Sequence, residues 1–456
     1  LTTPKPNNKN DTKPRAVLLV SYFFPPVGGA GVQRIAKFVK YLPAQGWHPV
    51  VLTALNPSVP VYDEGLLAEI PESVEIHRAK TLEPGYATKA AVSAATEQSG
   101  QRPGMKGRLR RLLRKSANLL LQPDPQILWM PAAMGLAGGL IERVTPAVII
   151  ASAPPFSSLL LGARLARRYK IPLLLDFRDE WDISNSAWEN RRMGPLSSAL
   201  QRRMQKFAIR SAGAIVATSR PSARALAAKA AECGVDVPVR CIYNGYDAAE
   251  FAGPISGGEE AGQKQRYRLA YVGTLWNLTS VAPLVEGIRR LAADSPALAA
   301  KLELVVAGRR TAEQERLLAG IAETPVRLRR HDYLDHRQAL AMIRGADCLV
   351  LLLSDFDFAG RVVPGKMFEY MATGNRVLAI APRGEVWHLL EGYPRARCLP
   401  PGDVDSIGDF LQRELQRFAD GGGSAEAAQE EFDATRYERS RLTIQLAALL
   451  DEIAAS

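Results

Sequence analysis

Apolar runs of strand length recur along the chain, and most lead through a short Gly- or Pro-containing loop into a stretch with helical spacing. In the first half the runs fall at residues 16–21, 49–53, 147–152, 171–176, 214–218 and 241–243. Residues 28–31 (GGAG) separate the first run from a helical pattern at 32–42. Strand, Gly-rich loop, helix, strand is a βαβ unit and implies a parallel sheet. A polar stretch at 254–265, rich in Gly, Glu and Gln, interrupts the pattern. It then restarts, with strands predicted at 269–272, 302–307, 326–329, 348–353, 376–381 and 396–399. An amphipathic helix at 440–453 ends the periodic part and is expected to cross back onto the first array.

The predicted fold class is therefore α/β, with two Rossmann-like parallel-sheet domains facing a cleft. The expected division is a disordered tail at 1–15, a first domain at 16–250 and a linker at 251–268. A second domain follows at 269–435, then a C-terminal helix at 436–456. Ligands of such sheets collect at the carboxyl ends of the strands. The stretch 360–374, GRVVPGKMFEYMATG, lies at such a place, after the apolar run at 348–353. It puts Lys366 and Glu369 on the opening turns of a helix. A helix N-terminus carries unpaired N–H groups and favours a phosphate, and Lys366 adds a full charge. Glu369 beside it suits sugar hydroxyls, such as a ribose diol.

Composition is that of a globular protein, with 47% apolar and 23% charged residues over 456 positions. That length predicts more than one core. The net charge of +11 points to an anionic partner. From residue 98 to 123 there is no acid, while Arg102, Lys106, Arg108, Arg110, Arg111, Arg114 and Lys115 alternate with leucines. This is the pattern of a basic amphipathic helix on an anionic membrane, with Arg108, Arg110, Arg111, Arg114 and Lys115 as the binding face. A second basic stretch, at 191–210, has Leu196, Leu200 and Phe207 at helical spacing. No nucleic-acid module or stacking platform accompanies the charge, so no nucleic-acid partner is expected. The apolar run 127–141 is broken by Pro131 and three glycines and is expected to be too short to span a bilayer. The four cysteines stand far apart with no Cys-x-x-Cys, which argues against zinc and suits a reducing, cytoplasmic compartment.

The ordered set of motifs PPVGGAGVQR (25–34), SAPPFSS (152–158), DFRDEW (176–181), YNGYD (243–247), YVGTLW (271–276) and PGKMFEYMATG (364–374) resembles the family 4 glycosyltransferases of the GT-B fold. The resemblance runs along nearly the whole chain and is nearest to the bacterial group that assembles surface polysaccharides. It implies a retaining, metal-independent, hexosyltransferase-type enzyme with no cofactor. Such an enzyme moves a sugar from a nucleotide-sugar donor to a lipid-linked or polysaccharide acceptor, here at the inner face of the plasma membrane. By resemblance, the first domain binds acceptor and the second binds donor. Lys366 and Arg309 would hold the pyrophosphate, Glu369 would accept from the ribose, and Gly29, Gly31, Gly273 and Thr274 would bring backbone to the donor. Fixed cations and N–H groups stabilise a leaving diphosphate without a metal.

The chain also departs from that family. Of the Glu-x7-Glu pair carried by many members, only the second glutamate is present, as Glu369; Arg361 stands at the first. Either Arg361 contacts donor phosphate, or sugar recognition shifts to Asp355 or Asp357. No histidine follows a first-domain strand in the family manner, and Pro155-Phe156 occupies the approximate place. Asp179 is then the acceptor-side candidate for catalysis and Arg178 the partner for an anionic acceptor. Asp355-Phe356-Asp357 has the spacing of a D-x-D metal motif, but Asp403-Val404-Asp405 repeats it elsewhere. A nucleotide-sugar epimerase of the same fold and a non-catalytic nucleotide-sugar-binding homologue are the alternatives.

Overall fold

The computed structural model describes residues 15–86, 121–187, 194–252, 265–421 and 432–455. The basic stretch at 102–115 and most of the expected linker lie outside these residues. The first sheet has seven strands: β1 (Arg15–Val20), β2 (Trp47–Ala54), β3 (Glu75–Ala79), β4 (Val148–Ala153), β5 (Leu173–Phe177), β6 (Ala214–Ala217) and β7 (Val239–Cys241). Their order is β3-β2-β1-β4-β5-β6-β7, all in parallel register. β4 is buried along its whole length, VIIASA, because helices cover both faces of the sheet.

The longer helices of this domain are α1 (Ala30–Tyr41), α2 (Met130–Val144), α3 (Ser157–Tyr169), α4 (Trp181–Ala187), α5 (Pro195–Ile209) and α6 (Arg220–Glu232). One core, on the α2–α3–α5–α6 side, includes Leu18, Ile149, Leu159, Leu175 and Ile209. The other includes Val17, Ile35, Val39, Ile150 and Val216 under α1.

The second sheet has six parallel strands: β8 (Tyr267–Val272), β9 (Leu302–Ala307), β10 (Arg327–His331), β11 (Cys348–Leu352), β12 (Arg376–Ile380) and β13 (Ala396–Leu399). Their order is β10-β9-β8-β11-β12-β13. Its longer helices are α7 (Ala282–Asp294), α8 (Ala312–Ala319), α9 (His336–Arg344), α10 (Lys366–Thr373), α11 (Glu385–Glu391) and α12 (Val404–Ala419). α13 (Arg439–Ala454) returns to the first domain and buries Leu442, Leu446, Leu450 and Ile453 beside α1 and β4. The core under α1 continues into the second domain through the Tyr243, Phe368 and Tyr437 rings, whose centroids lie 5.0–5.7 Å apart.

Three expectations change. Residues 125–144 form one continuous helical stretch of 20 residues, long and apolar enough by length and composition to cross a membrane. Pro131 sits in its first α-helical turn, where no hydrogen bond is lost, and the glycines cost stability without breaking it. Its Met130, Ala133, Ala137, Leu140 and Ile141 are buried in the first-domain core. β8 begins at Tyr267, inside the stretch expected to be linker. The strand expected at 241–243 ends instead at Cys241.

Candidate active site

In each sheet the connections on either side of one strand pair run to opposite faces, which opens a crevice at the carboxyl ends. The pair is β1 and β4 in the first domain, β8 and β11 in the second. Lys366 and Glu369 stand in the opening turns of α10 and Gly31 in that of α1, while Gly29, Arg178, Asp179, Gly273, Thr274, Arg309 and Arg361 lie on the connections that follow strands.

On the second-domain side, Lys366 is the first residue of α10. Its Nζ lies 4.1 Å from the centroid of the Tyr271 ring and makes no ion pair with a described residue. Gly273, with φ 141°, follows β8, and a side chain there would collide with the Lys366 ammonium. The backbone angle calls for glycine, and any side chain there would push the Lys366 ammonium aside. Tyr271 donates its hydroxyl to the Thr274 carbonyl at 2.8 Å, which fixes the loop and leaves Thr274 exposed. Glu369, one turn along α10, is half-buried. Burial pushes its carboxyl up, against the pull of His336, Arg439 and Lys366. Arg309 is exposed after β9 and reaches across to the first domain, where its Nη2 donates to the Tyr86 hydroxyl at 2.9 Å.

On the first-domain side, Gly29 adopts φ 102° before α1. Tyr333 of the second domain covers this loop, its hydroxyl 2.8 Å from where a Cβ on Gly28 would stand. Arg178 spans three loops. Its backbone N–H donates to Ala153 O at 2.9 Å, and its guanidinium bonds Ala153 O and Pro154 O. Its Nη1 stands 3.2 Å from a Cβ position on Gly31 and has no partner. Burial works against the Arg178 charge and raises the Asp179 carboxyl.

Glu180 closes the cleft: its Oε2 accepts from Arg361 Nη1 of the second domain at 3.2 Å. Arg361 also lies over Phe358, and its carbonyl accepts from Ser219 Oγ at 2.6 Å. In this structure Arg361 is thus committed to a cross-domain contact rather than left free. Asp355 and Asp357 are exposed on the same loop.

Two motif residues act as scaffold. Arg34 of α1 is buried on Asp176 at 2.9 Å and on the Ile242 and Tyr243 carbonyls, and Ser152 Oγ donates to the same carboxylate at 2.7 Å. A group of three carboxylates with metal-ligand spacing, Glu69, Asp247 and Glu250, surrounds the Lys37 ammonium, which is 2.7 Å from Asp247 and 2.5 Å from Glu250. The lysine fills the place a cation would take.

The sequence reading missed a set of buried polar groups around the start of α3. Asp124 Oδ2 accepts the Ser157 N–H at the start of α3 at 3.1 Å, while its Oδ1 has no partner. Burial raises its carboxyl to about 6. Ser157 Oγ, Ser158 Oγ, Glu180 Oε1 and Ser184 Oγ are also buried without partners. Buried polar atoms are normally paired, so these groups have unused hydrogen-bonding capacity. Ser157 and Ser158 lay inside a motif already noted; Asp124, 33 residues away, gave no local signal.

The second-domain crevice repeats the first, with glycine loops and cations at both sets of strand ends. This is the GT-B fold of glycosyltransferases. Residues 28–245 match the glycosyl transferase 4-like domain family. No curated protein matches by sequence. Among solved structures, the Anabaena protein HepE in complex with UDP-glucose superposes with a TM-score of 0.58 at 15% identity, covering 96% of this chain and 100% of that one. The N-terminal domain of a Candida albicans trehalose-6-phosphate phosphatase gives 0.61 at 11% identity, over 98% of both chains. A UDP-forming α,α-trehalose-phosphate synthase from Burkholderia vietnamiensis gives 0.58 at 12%, over 97% of this chain and 99% of that one.

Proposed function

We propose that this chain transfers a sugar from a nucleotide-sugar donor held by the second domain to a hydroxyl of a glycan or lipid-linked acceptor held by the first. Configuration is retained and no metal takes part. The observation that carries this reading is Lys366: a cation without an ion-pair partner among the described residues, on a helix N-terminus, against Gly273 in the β8/β11 crevice. A diphosphate leaving group is what such a place stabilises. Arg309 supplies a second cation and Glu369 an acceptor for ribose hydroxyls. Arg178 and Asp179, after β5, stand on the acceptor side. The biological setting of this proposal is cell-surface glycan assembly at the cytoplasmic face of the membrane.

The test is a thermal-shift screen against UDP-, GDP-, dTDP- and ADP-sugars, with and without magnesium. A ligand that binds only the folded chain raises its melting temperature. One nucleotide sugar is expected to do so without magnesium. Lys366→Ala is expected to weaken that donor roughly 10- to 100-fold, the worth of a charge-assisted hydrogen bond. Wild-type donor affinity and turnover in the variant would sink the assignment. Donor consumption in the absence of any acceptor would favour an epimerase instead.

A further inference from the structure

Two arginines follow β9, and their side chains are held by opposite kinds of partner. Arg310 is held by acids: it pairs with Glu315 and, at 3.0 Å, with Asp332, so its charge is matched. Arg309 is exposed and has no ion-pair partner among the described residues. Its Nη2 donates instead to the hydroxyl of Tyr86 in the first domain, and its guanidinium lies 5.8 Å from the centroid of the same ring. Lys366 is placed in the same way, 4.1 Å from the centroid of the Tyr271 ring. A carboxylate in either position would neutralise the cation and repel a phosphate. A tyrosine fixes the direction of the charge and leaves it uncompensated.

We infer that Tyr86 is a positioning residue for Arg309, so that the first domain completes the diphosphate site of the second. The inference deepens the donor reading and rests on it. The backbone carries Arg309 to the rim of that site. A side chain on Gly308 would collide with the Gly273 carbonyl, and a side chain on Gly273 would in turn meet the Lys366 ammonium. Leu275 N donates to Arg309 O at 2.8 Å, which ties the two connections together. From this base an arginine side chain left in water keeps most of its rotamer freedom, and a ligand that used it would have to order it. Tyr86 orders it beforehand.

The contacts beside this pair hold Tyr86 within reach. Gly308 N donates to His331 O and Asp332 O, each at 3.2 Å, which ties the Arg309 connection to the one after β10. There Tyr333 sets its hydroxyl against the Gly28 loop of the first domain, 3.5 Å from the Asp63 carboxylate. His336 N donates to the same carboxylate at 3.2 Å, and Asp63 is buried. The Tyr86–Arg309 contact therefore belongs to a docked edge between the domains, not to two side chains meeting in solvent. Parting that edge frees the Arg309 head, so affinity for a diphosphate is tied to closure of the cleft.

The experiment is calorimetric titration of the full chain with inorganic pyrophosphate, without magnesium. Tyr86→Phe keeps the ring and removes only the hydroxyl. It is expected to leave the melting temperature unchanged and to weaken pyrophosphate about 3- to 10-fold, the effect of leaving one long side chain to be ordered by the ligand. Arg309→Ala is expected to weaken it further, and Tyr86→Phe to add nothing in that background, because the tyrosine acts only through the arginine. Tyr62→Phe is the control: its hydroxyl donates to Pro57 O at 3.3 Å within the first domain, and wild-type affinity is expected. Unchanged or tighter binding by Tyr86→Phe overturns the inference. So does a Tyr86→Phe effect that persists beside Arg309→Ala, since Tyr86 would then touch the ligand or act through the fold. Affinity that falls in Lys366→Ala but ignores Tyr86 overturns this inference alone. No pyrophosphate binding by the wild type also overturns it, and if no nucleotide sugar binds either, the donor reading falls with it.

Discussion

His336, at the first turn of α9, places its Nε2 3.0 Å from the Glu250 carboxylate of the first domain, and its backbone N–H donates to Asp63 at 3.2 Å. Glu369 and Lys37 also act on the ring. Burial opposes the imidazolium, but Glu250 outweighs it and the histidine rises above its usual 6.5. Glu250 is also buried, yet His336 and Lys37 hold it below its usual 4.5. The histidine's contribution to stability is therefore complete below pH 6.5 and is lost as pH rises through its raised value. The glutamate's contribution is lost only in acid, as pH falls through its lowered value. The stability gap between wild type and His336→Gln is expected to be widest at mildly acidic pH and to shrink towards alkaline pH; a gap that does not vary with pH would refute this. Contacts of this kind left no trace in the sequence reading. Residues 250 and 336, 86 and 309, and 180 and 361 each pair across long separations, with no local pattern to mark them. Lys366 and Glu369 were legible because one helix turn carries both.

At the scale of elements, strands were the most legible feature. Central parallel strands are buried on both faces, so their sequences are unbroken apolar runs. β3 was missed because EIHRA lies at the sheet edge and is mostly half-buried. α13 was legible from its periodicity, since Leu442, Leu446 and Leu450 recur every fourth position. It also ties the two ends of the chain: Trp47 Nε1 donates to Asp451 at 3.2 Å, and Arg15 pairs with the same carboxylate. Leu450 is fully buried, so Leu450→Ala is expected to destabilise the protein by about 2–5 kcal/mol through lost transfer energy and a cavity. Urea unfolding followed by tryptophan fluorescence would measure it. A loss under about 1 kcal/mol would mean that α13 is dispensable to the first domain's core.

For the whole molecule, the Glu180–Arg361 pair is the cleft's own clasp. Glu180 is 8% exposed, and burial raises its carboxyl against the pull of Ser222 and Arg361. Arg361→Ala strands that carboxylate and is expected to cost about 1–3 kcal/mol, with a larger radius of gyration in solution scattering. The double variant with Glu180→Ala is expected to recover part of the energy but not the compactness; strict additivity would show that the two residues do not act together. What the clasp closes is fixed by how the chain crosses between the domains. Tyr246 N donates to Tyr437 O at 3.1 Å, and Arg439 N donates to Tyr246 O at 2.8 Å, so the returning crossing is sewn to the segment that leads into the outgoing one. Gly245, with φ 68°, lies so close to Tyr437 O and Leu442 that any side chain would part them. Two bodies joined along such a seam lose sideways sliding and keep chiefly the motion of a book about its spine. Lys366 and Arg178 then approach along a single arc, and one angle sets the distance between the two crevices.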